Sequence, residues 1–385
     1  MRFHYISPST LPSLSANSVH VALQCDALGR EGVDVVLYAK RSVPEPAALA
    51  SAVGEAYGVK SARLKIVSYH STSTKGDNLR IAAMAVFGVL MDRRPKHVLS
   101  RNLYAAFLLA CLFRLPLVFE THQLETGLRK WMQRLVMRCR HVTTIVISSR
   151  LEQYLTEHHG VPPWNCVVMH DAAPDGIEPV PSSSRRTQLM QLVPLADLRW
   201  RQVCGYFGHL YQGRGIEVVE AMADARPDCL FLVYGGNPEE VSAKRLANTS
   251  SNLVFMGHVY HPVARQLMCL MDVLLMPYQE SVSIGVSGHD TARWMSPMKM
   301  FEYMGSGVPI ISSDLPVLRE VLCDGQNCRL ALPTDVSGWV TALDHLHSEP
   351  GLSDRLGSAA HVQYRERHTW SARARGILVA ARCLA

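Results

Sequence analysis

The stretch Ser296-Pro297-Met298-Lys299-Met300-Phe301-Glu302-Tyr303-Met304-Gly305-Ser306-Gly307-Val308-Pro309-Ile310-Ile311 sets a lysine and a glutamate three residues apart just behind a Ser-Pro pair. Ser296 is a good N-cap, Pro297 suits the first helical position, and Gly305 with Gly307 ends the predicted helix. The apolar run from Val308 to Ile311 then reads as a buried parallel strand. A helix N-terminus offers unpaired amides and a partial positive charge to an anion, and Lys299 adds a full charge there. Glu302 shares the face of Lys299 about one turn, roughly 5 Å, further along. With a diphosphate at the helix start, that carboxylate would accept the hydroxyls of an attached ribose. The same two residues also fit an ordinary surface ion pair worth about 0.3–0.5 kcal/mol, so the rest of the chain must decide.

The segment resembles the S-P-x-K-x-F-E-Y-M-x-x-G-x-P-I signature of the family 4 retaining glycosyltransferases, which have the GT-B fold. The resemblance implies that Glu302 binds the nucleotide ribose, and that Lys299 and the backbone at Pro297 and Met298, after Ser296, hold the diphosphate. Many members carry a second glutamate eight positions earlier, where this chain has Trp294. Glu280 or Asp290, in the stretch Glu280-Ser281-Val282-Ser283-Ile284-Gly285-Val286-Ser287-Gly288-His289-Asp290, is then the candidate replacement for its donor-sugar contact.

A second glycine-rich stretch, Gly205-Tyr206-Phe207-Gly208-His209-Leu210-Tyr211-Gln212-Gly213-Arg214-Gly215, follows a predicted strand and precedes a helix. Its glycines let the backbone approach a ligand, and Arg214 would aim a guanidinium at a diphosphate. It is similar to the family's G-R/H-L-x-x-x-K-G loop, with Arg214 in place of the lysine and His209 where arginine is common. Arginine keeps its charge, whereas an unperturbed histidine titrates near 6.5. The loops at Gly235 and at His258 and Val259 each follow a buried strand, where open α/β sheets bind ligands. In the family the second of these holds the nucleobase largely through backbone groups. Ordinary βα turns have the same composition.

In the first half of the chain, Phe119-Glu120-Thr121-His122-Gln123 ends a strand, and His122 resembles the family histidine that lies against the transferred sugar. Ser15 and Asn17, after the first strand, and Arg101 and Asn102, after the fourth, are acceptor-side candidates. Catalysis then falls to His122, Arg214 and Lys299, which stabilise charge on a leaving diphosphate electrostatically. No Asp-x-Asp-like cluster is present to bridge phosphates through a cation, so no metal and no cofactor is expected beyond a UDP- or GDP-sugar as co-substrate.

The elements that must position these residues alternate between strand-like and helix-like runs, which argues for parallel, doubly wound sheets. The Pro- and Ser-rich stretch 181–200 interrupts the rhythm and reads as a linker. The expected organisation is a Rossmann-like acceptor domain over 1–180 and a Rossmann-like donor domain over 201–366, facing each other across a cleft as in GT-B proteins. By resemblance, a C-terminal helix over 367–385 crosses back to the first domain. A length of 385 residues suits two cores, and 48% hydrophobic with 19% charged residues is ordinary for a globular chain.

The ten cysteines are scattered through apolar runs without a C-x-x-C pair, which is cytosolic usage. The N-terminus lacks the apolar core of a signal peptide, and no apolar run reaches the ~20 residues that span a bilayer. The predicted location is cytoplasmic, at the inner face of a membrane if the basic amphipathic stretch from Leu128 to Cys139 lies on anionic lipid. The same stretch also suits a helix docked on its own domain. The expected partners are a nucleotide sugar and a glycan or lipid-linked acceptor, with no nucleic acid, since no aromatic-interleaved basic groove is visible.

The favoured activity is hexosyl transfer with retention in surface-glycan or glycoconjugate synthesis. Its rivals are a nucleotide-sugar epimerase or hydrolase on the same fold, and a binding-only relative. A dinucleotide oxidoreductase would need G-x-G-x-x-G after the opening strand, and Ser7-Pro8-Ser9-Thr10-Leu11-Pro12 contains no glycine.

Overall fold

Segments such as Val142–Val146, Val203–Phe207 and Leu230–Tyr234 are buried at every position, which is what a strand covered on both faces requires. The computed structural model describes residues 2–71, 76–282 and 290–383. The chain divides into two units, residues 1–171 with 370–385, and residues 172–369.

The first unit contains β1 (Arg2–Leu11), β2 (Asp34–Arg41), β3 (Leu64–His70), β4 (Lys96–Ser100), β5 (Leu117–Thr121), β6 (Val142–Val146) and β7 (Cys166–Val168). They form a parallel sheet in the order β3-β2-β1-β4-β5-β6-β7. The second unit contains β8 (Val203–Phe207), β9 (Leu230–Tyr234), β10 (Leu253–Gly257), β11 (Val273–Met276), β12 (Ile310–Ser313) and β13 (Arg329–Ala331), parallel in the order β10-β9-β8-β11-β12-β13. In each sheet the order reverses once, between β1 and β4 and between β8 and β11. Those reversals are where open α/β sheets leave a crevice at the strand C-termini. The loops expected to carry chemistry leave these strands or their neighbours.

Two sequence expectations change. The presumed linker 181–200 carries the helix Ser182–Leu192, with Leu189 and Val193 in the core of the second unit. Its Pro-Ser run is a helix start, with Pro181 as N-cap, and Arg185 fixes the helix by donating to the carbonyls of Val180 and Gly307. The segment after β4 is α-helical across Leu103–Phe107 and continues as a π-helix over Leu108–Leu112. The unit boundaries fall at 171/172 and 369/370 rather than at 180 and 366, and the helix Trp370–Arg382 packs against Ala16–Arg30 within the first unit.

Candidate functional site

The lysine-bearing helix of the second unit runs Met298–Ser306, with Pro297 rather than Ser296 as its N-cap, so Ser296 lies one residue outside it. Gly305 is buried inside the helix; Gly307, at φ +65°, is the residue that ends it. Its first turn closes with Met300 N–H on the Pro297 carbonyl at 3.0 Å, leaving the amides of Met298 and Lys299 at the opening.

Lys299 Nζ is buried there without a hydrogen-bond partner. It lies 4.5 Å from the ring centroid of Tyr206, on β8, and 4.5 Å from that of Tyr278, just past β11. The aromatic faces supply some cation–π attraction but accept no hydrogen bond from an ammonium as a phosphate would. Burial, with the nearby Arg214 guanidinium as the second cause, holds the Lys299 pKa well below the usual lysine range. Arg214 lies over the Tyr278 ring and donates from Nη1 to its hydroxyl at 3.1 Å, while its Nε is buried and unpartnered.

The glycine loop closes on this pair. A Cβ at Gly208 would lie 3.3 Å from Lys299 Nζ, and one at Gly235, whose φ is +122°, would sit 2.0 Å from the Gly208 carbonyl oxygen. No side chain fits at Gly235 while the two loops remain this close. His209 stacks on Tyr211, and burial, then Arg214, lowers its pKa, so it brings no charge at neutral pH. Lys299, Arg214 and the N-terminus of the helix Met298–Ser306 therefore converge at the β8/β11 reversal.

Glu302 faces the same side one turn on and is almost wholly buried. Its Oε1 lies 3.1 Å from His261 Nδ1. Burial alone would raise the carboxyl pKa, but His261 and then Arg265 outweigh it and hold it below the usual value. Glu302 is thus a buried, ionised acceptor, which is the chemistry ribose hydroxyls require. Beside it, His258 is exposed and Val259 packs against the core, with Gly235 N–H bonded to the Gly257 carbonyl at 2.8 Å.

The donor-sugar candidates separate. Asp290 Oδ1 accepts the amides of Val282 and Ala292, both at 2.9 Å, and these bonds hold its pKa down against burial. Residues 283–289, between these contacts, lie outside those described. Glu280 is exposed and Trp294 half-buried.

In the first unit, His122 follows β5 and Glu120 sits within it, a carboxylate at the centre of a buried strand. Glu120 Oε1 is 2.7 Å from His122 Nε2, 3.0 Å from Arg373 Nη2 and 3.1 Å from His20 Nε2, and Tyr5 donates to Oε2 at 3.4 Å. Burial would raise the Glu120 pKa, but Arg373, Arg101 and His20 hold it well below the usual range. Burial, then Arg101, takes His122 down to about 4, so its ring is neutral at physiological pH. Among the described residues, His20, Glu120 and His122 offer one metal-ligating atom each within 4.8 Å of one another. Two guanidiniums already share that carboxylate, however, which repels a cation, and we assign no metal there.

Among the acceptor-side candidates, Arg101 reaches His122 Nδ1 at 3.3 Å. Asn102 is the N-cap of Leu103–Phe107, its Oδ1 accepting from Ala105 N–H and its Nδ2 donating to the Asn78 carbonyl. Ser15 is the N-cap of Ala16–Arg30, and Asn17 donates to Ser9 Oγ at 2.7 Å. The basic amphipathic stretch forms the helix Gly127–Arg138, burying Met132, Gln133, Val136 and Met137 while exposing Leu128, Trp131, Arg134 and Arg138.

Sequence reasoning passed over Tyr206, Tyr278, His261, Arg265, Glu120, His20 and Arg373. Only Glu120 carried a signal, an acid inside an apolar strand run; the others are brought in by tertiary packing.

A family profile described as "Glycosyl transferases group 1" matches residues 201–349, and one described as "Glycosyltransferase Family 4" matches residues 18–172. Over 146 residues, 38% of this chain, the sequence is 27% identical to the phosphatidyl-myo-inositol mannosyltransferase of Mycolicibacterium smegmatis. Over 164 residues, 40% of the chain, it is 28% identical to the 2-deoxystreptamine glucosyltransferase of Streptomyces kanamyceticus. These matches span 34% and 40% of the relatives' own lengths. The fold is similar to that of Anabaena Alr3699/HepE, solved in complex with UDP and glucose, at a TM-score of 0.72 and 14% identity with 100% of both chains covered.

Proposed function

This chain belongs to the group 1, family 4 glycosyltransferases and has the GT-B fold, and we propose that it transfers a hexosyl unit from a nucleotide-diphospho-sugar to an acceptor hydroxyl with retention at the anomeric carbon. The observation that carries this reading is the buried, unpartnered Lys299 ammonium at an open helix N-terminus beside Arg214. A buried cation without an anion is costly, and a diphosphate supplies the missing partner. As the bond from the sugar to the diphosphate breaks, negative charge grows on the leaving oxygen. Lys299, Arg214 and the Met298 and Lys299 amides are placed to stabilise it without reorganising, so the scheme assigns no step to a metal. Glu302 receives the ribose hydroxyls, and the backbone at Gly235, His258 and Val259 lines the base. The family resemblance assigns His122 to the transferred sugar, and Glu280 and Trp294 are the second unit's own donor-sugar candidates. UDP is the first nucleotide to test, because the HepE neighbour holds it.

The acceptor is a glycan or a lipid-linked glycan at an anionic membrane surface on the cytoplasmic side. Supporting this are the exposed Leu128 and Trp131 among Arg134, Arg138 and Arg140, the Phe107 ring 5.7 Å from that of Trp131, and exposed Leu112 and Phe113 on the adjoining segment. An apolar strip edged with basic groups is what an interfacial contact needs, and no helix among the described residues is long and apolar enough to cross a membrane.

A thermal-shift series with UDP, GDP and their sugars tests the donor site. The cognate nucleotide raises Tm, and Glu302→Ala abolishes most of the rise while leaving the ligand-free Tm close to that of the wild type. Labelled donor with a panel of acceptors then separates transfer from isomerisation or hydrolysis. A chain that no nucleotide stabilises refutes the reading.

A further inference from the structure

Resting on the placement of His122 at the transferred sugar, we propose that Glu120 is a positioning residue. It holds the His122 imidazole as its neutral Nε2–H tautomer and keeps Nδ1 as a lone-pair acceptor for a substrate hydroxyl, with Arg101 occupying that lone pair in the ligand-free protein.

Two contacts assign the tautomer independently. Glu120 Oε1 lies 2.7 Å from Nε2, and an ionised carboxylate only accepts, so Nε2 carries the proton. Arg101 Nη2 lies 3.3 Å from Nδ1, and a guanidinium only donates, so Nδ1 is the bare nitrogen. The two contacts differ in strength. A short charge-assisted bond anchors Nε2, whereas the contact to Nδ1 lies beyond the usual N–H···N range and is the one a hydroxyl can replace.

Glu120 cannot follow the ring if it turns. Its residue pairs with Ile145 in the β5–β6 ladder, and its carboxylate is held by Arg373 of the C-terminal helix, His20 of the helix Ala16–Arg30 and Tyr5 of β1. The charged and titratable groups around His122 are Glu120 from β5, Arg101 after β4, His20, whose ring centroid is 5.2 Å away and edge-on, and Asp171 after β7, with Arg373 paired to the Glu120 carboxylate. Burial and Arg101 keep the ring uncharged well below neutral pH, so the tautomer is the property left for Glu120 to set. A carboxylate that fixes which imidazole nitrogen bears the proton sets which one can receive a substrate proton.

The test uses the full chain, labelled with 15N-histidine, with His122 assigned through His122→Gln. Long-range 1H–15N correlation in the wild type shows the Nε2–H pattern for His122, unchanged from pH 6 to 9. In Glu120→Gln the amide donates as well as accepts, so the pattern becomes mixed, and kcat falls about 100-fold with KM for the nucleotide sugar unchanged. Should that variant not fold, Arg101→Met keeps the Nε2–H pattern while the His122 titration moves up from about 4 toward the ordinary range, because a positive neighbour is gone. An Nδ1–H wild type, or a Glu120→Gln protein with unchanged tautomer and kcat, overturns the positioning role alone. Full turnover by His122→Gln overturns the placement of His122 at the sugar, and this role with it.

Discussion

Lys299→Met separates a ligand-seeking charge from a structural one, because the two predict opposite signs for stability. In the ligand-free protein the ammonium sits between two aromatic rings with no acceptor, so its desolvation is not offset by a hydrogen bond. Methionine fills a similar volume without a charge, and such exchanges of buried charge for apolar groups gain about 1–4 kcal/mol. At about 2–4 °C per kcal/mol for a unit of this size, Lys299→Met raises Tm by several degrees. Nucleotide binding moves the other way. A lost charge-assisted contact of about 1.5–3 kcal/mol weakens Kd for the cognate nucleoside diphosphate roughly 10- to 150-fold.

Protonation supplies a second readout. Because the folded-state pKa of Lys299 lies below its unfolded value, the unfolded chain binds more protons between the two, and stability rises with pH across that window. The methionine variant loses that slope. A diphosphate raises the pKa again, so calorimetry in buffers of differing ionisation enthalpy, at a pH between the ligand-free and ligand-bound values, shows proton uptake on binding in the wild type and none through this site in the variant. A Lys299→Met protein that melts lower than the wild type, binds nucleotide equally well and shows the same proton linkage would falsify the assignment of Lys299 as an anion site.

Arg373→Met leaves Glu120 buried without its nearest guanidinium and destabilises the chain by about 3–5 kcal/mol in urea unfolding, with Glu120→Gln restoring part of the loss. Glu120 has a depressed folded-state pKa, so its contribution is present above its unfolded value and lost as pH falls through the folded one; Arg373→Met flattens that acid slope. Unchanged stability in the single variant would show that the C-terminal helix is held by apolar packing alone. On the outer surface, Leu128→Ser with Trp131→Ser reduces flotation with anionic phosphatidylglycerol vesicles without altering Tm, and equal flotation removes the membrane contact.

What the sequence disclosed followed the range of each interaction. Strand positions came through because buried parallel strands read as local apolar runs, and the helix Met298–Ser306 did because its start and stop residues lie within one short stretch. The cap at Pro297 missed by one residue: both Ser and Pro are start signals, and only backbone geometry at Pro297, at ψ 122°, shows which of them stays outside the helix. The helix Ser182–Leu192 reads as a linker in the sequence because serine and proline mark loops and helix starts alike, and Leu189 reveals its burial only against the second unit's core. Tyr278 and Tyr206 lie far apart in the chain yet both face one ammonium, and no periodicity brings them together.

The two units use buried charge in contrasting ways, and the contrast distinguishes scaffold from site. Glu120 in the first unit is surrounded by donors, so its charge is settled within the fold, and its effect reaches chemistry only through the ring it orients. Lys299 in the second unit has equal burial at its charged atom and no acceptor, so its charge is settled only when an anion arrives. Evolution toward stability alone would replace such a lysine, since apolar groups of similar size satisfy that pocket better. The proposed function accounts for its presence beside Arg214 at a helix N-terminus, and the opposite stability signs predicted for Lys299→Met and Arg373→Met follow from that single difference.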